Sequence, residues 1–184
     1  MLLREMFQQP KTAVVTFGRM NPPTIGHAKL VDKMKSISGD HYLFLSHTVD
    51  QKKNPLTFET KKKFVESFFE NVTVGNEFVR TPIDMMKHLE EQGYQNVIFV
   101  AGSDRTERFQ KLFNDYNKKE YTFESIKVIS AGERDPDADG AEGMSASKLR
   151  QAVQENNFDF FEQGVPVKEL AEDLYNEIRS CYGS

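Results

Sequence analysis

Apolar runs suited to β-strands alternate along this chain with longer segments in which apolar residues recur every third or fourth position. That alternation is typical of a parallel sheet covered by helices, because each parallel strand needs a crossover that returns the chain to the same end of the sheet. Strands are predicted at about residues 12–17, 41–46, 77–80, 96–101 and 125–130. Helices are predicted at about residues 25–37, 58–71, 82–92, 104–116, 146–156 and 167–181.

These elements predict one Rossmann-like α/β domain over residues 1–184, with a central parallel sheet of about five strands and helices on both faces. Its core is expected over about residues 11–156, followed by a C-terminal helical extension over about residues 157–184. Thr81-Pro82 is typical of a helix start, and Gly93 of a helix end, which fixes one of the crossover helices.

Two segments between the predicted elements look irregular. Residues 47–57 predict a mobile basic loop without apolar anchors, and residues 131–144 predict a glycine-rich acidic loop. The aspartates of the second loop begin like an EF-hand calcium loop, but its twelfth position is Ala146 where that loop needs a glutamate. No residue is therefore predicted to be a metal ligand.

Composition narrows the class of protein. The net charge of −4 argues against a general nucleic-acid binder, and the basic run at residues 61–63 is interpreted mainly as a solvated helix face. No run approaches the roughly 18 apolar residues of a membrane span. The single cysteine, Cys181, fits a reducing compartment. A cytoplasmic protein is expected, with no membrane or nucleic-acid partner, while association into homo-oligomers stays open.

The segment 17–27, Phe-Gly-Arg-Met-Asn-Pro-Pro-Thr-Ile-Gly-His, connects the first predicted strand to the first predicted helix. It lacks G-x-G-x-x-G, and no G-K-[S/T] follows, so it is neither a dinucleotide fingerprint nor a P-loop. A helix start carries partial positive charge, and glycine allows a ligand to approach the backbone closely. The turn therefore predicts a polyphosphate site.

Polar groups follow three further elements at positions that a doubly wound sheet brings to one edge. Ser46-His47-Thr48 follows the second strand and leads to Asn54-Pro55-Leu56-Thr57, Gly102-Ser103-Asp104-Arg105 follows the fourth, and a glycine-rich loop leads into Ser145-Ala146-Ser147-Lys148-Leu149-Arg150. Each group has an ordinary structural explanation, such as a helix cap at Ser145. Their shared location favours a ligand site.

Thr24-x-Gly26-His27 resembles the T/H-x-G-H signature of the nucleotidylyltransferase superfamily. The segment 144–150 is similar to the Ile-Ser-x-Thr-x-Ile-Arg motif that closes the nucleotide site in that superfamily. The Gly-Arg-x-x-Pro start, with Ser-His and Asn-Pro-Leu-Thr after the second strand, most resembles archaeal-type nicotinamide mononucleotide adenylyltransferases. Bacteriophage nucleotidylyltransferases are similar, and a phage-encoded protein would work in the host cytoplasm.

The resemblance implies transfer of a nucleotidyl group from a nucleoside triphosphate to a phosphorylated small molecule, with release of pyrophosphate. The residues with implied catalytic roles are His27, Thr24, Arg150 and Lys53. Those with implied nucleotide contacts are Gly18, Arg19, Met20, Asn21, Gly26, Gly102, Asp104, Ser145 and Ser147. Those implied to bind the acceptor are Ser46, His47 and Asn54. Mg²⁺ is expected to enter with the triphosphate.

The resemblance favours ATP as donor, since the last motif ends in Arg150 as it does in adenylyltransferases. It favours nicotinamide mononucleotide as acceptor, which would give NAD, although the chain has no tryptophan to stack on the nicotinamide ring. Two alternatives stay open. One is a cytidylyltransferase acting on a phosphorylated alcohol or sugar, and the other is an inactive nucleotide-binding homologue with a role in assembly.

Overall fold

The computed structural model describes residues 10–132 and 144–183, and within them it contains a five-stranded parallel sheet in the order β3-β2-β1-β4-β5. The strands are β1 (Thr12–Gly18), β2 (Asp40–Leu45), β3 (Thr73–Val74), β4 (Asn96–Ala101) and β5 (Ser125–Ser130). The helices are α1 (Ile25–Lys35), α2 (Phe58–Phe68), α3 (Pro82–Glu91), α4 (Thr106–Tyr116), α5 (Ala146–Gln154), α6 (Phe158–Gln163) and α7 (Ala171–Cys181). The predicted Rossmann-like α/β fold is confirmed.

Strand β1 lies at the centre of the sheet and is buried on both faces. Its Ala13 and Val15 pack into one core cluster with α3 and α4, whereas Val14 packs on the opposite face against Met34 of α1. Successive side chains of a strand point to opposite faces, so this apolar run requires cover on both sides. The C-terminal helices α5 and α7 cover a further part of the sheet, where they form one core cluster with Leu43 of β2.

The chain reverses its direction of travel across the sheet after β3. From β1 it crosses to β2 and β3 on one side, and it then returns past β1 to β4 and β5 on the other. Strands β1 and β4 are neighbours, with Val15 paired to Phe99, yet the chain leaves their carboxyl ends in opposite directions. A crevice opens at such a switch point, and open α/β sheets bind their ligands there.

The predicted third strand at residues 77–80 is wrong, because the edge strand β3 lies earlier, at Thr73–Val74. The side chain of Asn76 accepts hydrogen bonds from the backbone N–H groups of Phe78 and Val79, which holds that segment in a turn. Gly75 ends the strand against the ring of Phe44, where an added Cβ would approach a ring carbon to 2.2 Å.

The remaining predicted elements are present, with ends that differ by a few residues. Proline occupies the first turn of α3 after the Thr81 cap, and Gly93 adopts a φ of +88° beyond its end, as the sequence predicted. The extension after α5 contains α6 as well as α7, which sequence periodicity did not separate. Within the described part of the chain, no helix is both long and apolar enough to cross a bilayer.

Candidate active site

Thr24 and His27 form the N-terminal cap of α1. The Thr24 side chain accepts hydrogen bonds from the backbone N–H groups of Gly26 at 3.2 Å and His27 at 3.4 Å. The His27 ring returns the interaction, because its Nδ1 accepts from the backbone N–H of Thr24 at 2.9 Å. This is a capping box in which histidine replaces the usual glutamate or glutamine, so the same two side chains start the helix and line the cavity described below.

The cap also fixes the tautomer of His27. A nitrogen that accepts from a backbone N–H carries no proton, so in the neutral ring the proton resides on Nε2. His27 therefore presents an N–H donor on the atom farther from the backbone. A donor of this kind suits a phosphate oxygen.

The first amides of α1 are already engaged within the protein. The N–H of Ile25 donates to the carbonyl of Gly164 at 3.0 Å, and the next two amides donate to Thr24 as described. These amides are therefore not available to a phosphate as the sequence predicted, and the helix terminus contributes its partial positive charge. Direct contacts from this helix start are therefore expected from its side chains.

Arg150 extends from α5 to the turn between β1 and α1. Its Nη1 donates to the backbone carbonyl of Asn21 at 2.9 Å, across 129 positions of sequence. The guanidinium is half-buried, and desolvation is the largest cause of its lowered pKa. The nearby positive charge of Arg19 lowers this pKa further by a smaller amount. Helix α5 itself is capped by Ser145, whose hydroxyl accepts from the Lys148 N–H at 3.2 Å. The last sequence motif thus reaches the first.

Asn21 joins the same turn to the segment after β2. Its Nδ2 donates to the carbonyl of Leu56 at 3.0 Å, and its Oδ1 accepts from the Leu56 N–H at 2.9 Å. Both polar ends of this buried amide are used, so Asn21 contributes to the cavity as a structural link. Its nucleotide contact stays a prediction.

Residues 47–57 make more hydrogen bonds and apolar contacts within the protein than their composition suggested. Asp50 accepts from the side-chain amide of Asn54 at 2.8 Å, and from the N–H groups of Lys53 at 2.7 Å and Lys52 at 3.0 Å. These hydrogen bonds lower the pKa of the Asp50 carboxyl to about 2, and the bond from the Asn54 side chain is the largest cause. Leu56 is 1% exposed, so the expectation that this segment has no apolar anchor is wrong. The turn presents Lys53 to the cavity.

A cavity of about 300 Å³ lies at the switch point between β1 and β4. The site residues predicted from sequence that line it are Gly18, Arg19, Met20, Asn21, Thr24, Gly26, His27, Lys53, Gly102, Asp104, Ser145, Ser147 and Arg150. Further lining residues are Thr16, Phe17, Lys29, Leu30, Phe99, Ala101, Arg105, Phe109, Ala131, Gly132, Met144 and Ala146. Four segments that are distant in sequence therefore meet at one place.

The cavity lining is strongly cationic among the residues described. Its basic side chains are Arg19, Lys29, Lys53, Arg105 and Arg150, and Asp104 is its one carboxylate. This balance contrasts with the net charge of −4 for the whole chain, so the positive potential is local. Lys29 and Arg105 were not predicted as site residues, although Arg105 directly follows Asp104 in the motif after the fourth strand.

The predicted acceptor residues lie beside this cavity, on the β2 side, and do not line it. The N–H of Ser46 donates to the carbonyl of Gly18 at 3.0 Å, which joins the ends of β2 and β1. His47 stacks on Phe58 with ring centroids 4.0 Å apart, and desolvation is the largest cause of its lowered pKa. Asn54 is buried, and its amide donates to Asp50. Their role in acceptor binding stays a prediction.

Lys61 corrects the interpretation of residues 61–63 as a solvated face. It is 0% exposed, and its ammonium group donates to the carbonyls of Arg19 at 2.8 Å and Ser46 at 2.7 Å. Desolvation lowers its pKa to about 8. A signal was present in the sequence, because Phe58, Lys61 and Phe68 fall on one face of a helix.

No group of three or more His, Cys, Asp or Glu side chains that could hold a metal ion occurs in residues 10–132 and 144–183. The aspartates that resemble the start of a calcium loop, and most of the predicted loop 131–144, lie outside the described residues. Asp104 is the one carboxylate that the described lining offers to a cation. This donor set suits a Mg²⁺ ion that is held mainly by phosphate oxygens and water.

Structural comparison finds similar folds among known adenylyltransferases. A putative nicotinate-nucleotide adenylyltransferase from Vibrio parahaemolyticus superposes with a TM-score of 0.60 at 18% identity, covering 89% of this chain and 98% of that one. The nicotinic acid mononucleotide adenylyltransferase of Plasmodium falciparum, in complex with NaAD, gives 0.58 at 14% identity, covering 90% and 98%. A bifunctional NMN adenylyltransferase/ADP ribose pyrophosphatase from Francisella tularensis gives 0.57 at 13% identity, covering 92% and 53%.

At these identities the structural likeness establishes the fold, and the sequence establishes the family. A search of curated proteins finds no significant match. The sequence model of the family described as cytidylyltransferase-like matches residues 15–152, about three quarters of the chain. That match extends from β1 to α5 and includes both the Thr-x-Gly-His turn and Arg150. The chain therefore belongs to the cytidylyltransferase-like family of nucleotidylyltransferases.

Proposed function

We propose that this protein transfers the adenylyl group of ATP to a phosphorylated small molecule, with nicotinamide mononucleotide as the leading acceptor. The observation that carries the proposal is the local charge of the switch-point cavity, whose described lining sets five basic side chains around one carboxylate. Such a lining attracts a polyanion, and guanidinium groups bind phosphate oxygens in a directed way. A triphosphate and a second phosphorylated substrate meet that requirement.

The apolar part of the cavity supports adenine as the base of the donor. Phe109 and Leu30 line it with partly exposed side chains, and the fully buried Phe99 ring supports Phe109 from behind, with ring centroids 4.6 Å apart. Aromatic side chains provide stacking surface for a planar base. The fold neighbours named above are adenylyltransferases, which favours a purine over cytosine here.

The proposed reaction is a direct displacement at the α-phosphorus of ATP. A phosphate oxygen of the acceptor forms the new bond to that phosphorus, and the bond from phosphorus to the oxygen shared with the β-phosphate breaks, so pyrophosphate leaves. The attacking phosphate is already ionised near neutral pH, and no general base is needed. The protein must align two anions and neutralise the charge that develops between them.

Each charged group then has a defined task. The Nε2–H of His27 would donate to an α-phosphate oxygen, because its Nδ1 is held by the cap. Arg150, with Ser145 and Ser147 at the start of α5, would bind the β- and γ-phosphates. Lys53 would cover the phosphates from the Asp50 turn, and Asp104 would accept from a ribose hydroxyl. Mg²⁺ bound to the triphosphate would neutralise part of its charge.

The test is to incubate the protein with Mg²⁺, one triphosphate and one acceptor, and to measure pyrophosphate and the dinucleotide product. ATP with nicotinamide mononucleotide is expected to give NAD and pyrophosphate in equal amounts. Faster turnover of CTP with any acceptor would overturn the adenylyl assignment, which the family description makes a necessary comparison.

The identity of the acceptor is tested separately. Nicotinic acid mononucleotide is included because the Vibrio and Plasmodium neighbours are named for that class of substrate. Turnover of ATP with this acceptor alone would replace nicotinamide mononucleotide without changing the reaction. Binding of ATP without turnover of any phosphorylated acceptor would instead support an inactive homologue.

A further inference from the structure

Lys61 is a buried cation that the reaction outlined above does not use. It occupies the first turns of α2, on the face that carries Phe58 and Phe64 into the core. Its ammonium nitrogen lies 2.8 Å from the carbonyl oxygen of Arg19, 2.7 Å from that of Ser46, and 3.3 Å from the Ser46 hydroxyl. One ammonium group therefore bonds two separate segments of the chain.

The two segments that Lys61 connects are predicted to bind different ligands. Arg19 belongs to the turn between β1 and α1, which lines the cationic cavity. Ser46 is the first residue after β2 and begins the segment predicted to bind the acceptor. A direct backbone bond from Ser46 to Gly18 also joins them. The ammonium group thus lies at the junction between the two predicted substrate sites.

Stability alone does not account for a charge at this position. Burial of an ammonium group costs free energy, and that cost is reflected in the lowered pKa of Lys61. An apolar side chain would pack among the phenylalanines of α2 without that cost. However, it would leave the carbonyls of Arg19 and Ser46 without this donor, and the backbone bond from Ser46 to Gly18 would have to hold the two segments together without the ammonium group.

We propose that Lys61 is a positioning residue that sets the separation between the triphosphate-binding turn and the acceptor-binding segment, and thereby aligns the acceptor oxygen with the α-phosphorus. The inference rests on the proposed function for the meaning of the two sites. It assigns to Lys61 no contact with either substrate. Its effect is on the distance between them.

This role has a specific kinetic signature. A displacement of about 1 Å between reacting groups can lower a rate about 100-fold while each substrate still binds. Lys61→Met is therefore expected to lower kcat by about 10-fold to 100-fold, with the Kd of ATP measured alone changing by less than about threefold. Lys62→Met is the matched control, since it removes the same charge from the next residue of α2, and it is expected to keep the wild-type kcat.

A second measurement does not depend on substrates. Hydrogen exchange of the backbone amides in residues 18–22 and 46–50, including the Ser46 N–H that bonds Gly18, is expected to be faster in Lys61→Met than in the wild type or Lys62→Met. If Lys61→Met does not fold, Lys61→Gln is used for both measurements, because its amide can still donate to one carbonyl without carrying a charge.

The outcomes separate the two proposals. A folded Lys61 variant with kcat within about twofold of wild type, or with unchanged exchange in both segments, overturns the positioning role. An increase in the Kd of ATP alone at constant kcat also overturns it, because Lys61 would then serve one site only. If the wild type transfers no adenylyl group to any acceptor, the proposed function fails, and the exchange data alone decide whether Lys61 holds the two segments together.

Discussion

Raising the pH from about 7 to about 10 is expected to stabilise the folded protein, because Lys61 is buried as an ammonium ion. Its pKa falls from 10.5 to about 8 on folding, so the unfolded chain binds the proton more tightly than the folded one. At one pKa unit per 1.36 kcal/mol, the charge costs the folded state about 3 kcal/mol at neutral pH.

The sign follows from proton binding. Below about pH 8 both states are protonated, and this residue gives stability no dependence on pH. Between about pH 8 and pH 10 the folded state releases the proton first, so most of the cost disappears and the free energy of unfolding rises by about 2 kcal/mol. Tyr94 and Tyr121, whose pKa values are raised chiefly by desolvation, oppose this trend only above about pH 10.

The assay is urea denaturation at several pH values, compared between the wild type, Lys61→Met and Lys62→Met. The difference in unfolding free energy between wild type and Lys61→Met isolates the Lys61 contribution, because other titrating groups are shared. Lys62→Met is expected to show the same rise with pH as the wild type. A difference between wild type and Lys61→Met that is independent of pH would refute the lowered pKa.

Four further substitutions test the site and the fold. His27→Ala is expected to lower turnover about 100-fold to 1000-fold through loss of one phosphate donor, whereas His41→Ala, at the amino end of β2, serves as control; equal turnover in both folded variants would remove His27 from catalysis. Arg150→Ala is expected to weaken ATP binding about 10-fold to 100-fold in a calorimetric titration, and unchanged affinity would leave its bond to the turn as its sole role. Asp50→Ala removes the carboxylate that accepts three hydrogen bonds in its turn, which releases Lys53, and it is expected to weaken ATP binding about threefold to tenfold. An unchanged affinity in the same titration would contradict this expectation. Gly75→Ala places a methyl group against the Phe44 ring and is expected to lower the unfolding free energy by about 1–3 kcal/mol, so an unchanged thermal midpoint would disprove the close approach.

Sequence patterns predicted the sheet well because burial on two faces leaves continuous apolar runs, as in β1 and β4. They failed at β3, which is two residues long and lies next to an Asn76 turn that the hydrophobic pattern does not reveal. Short edge strands carry too few side chains to display a period.

The candidate site was predictable to a different extent. Motif positions after the strands identified the cavity lining, because topology alone brings those ends together. The bonds of Arg150 to Asn21, and of Lys61 to Arg19, connect residues far apart in sequence and depend on how α5 and α2 pack. Lys61 was visible as an anomaly on an apolar helix face, but its partners were not.

The central place of β1 in the sheet has a consequence for how the cavity is assembled. One wall comes from the chain up to the Asp50 turn, and the other comes from β4 and the start of α5. The cavity is thus a seam between two βαβ halves, and neither half encloses it alone. A nucleotide bound here would contact both halves at once. Its binding would therefore stabilise the packing of one half against the other.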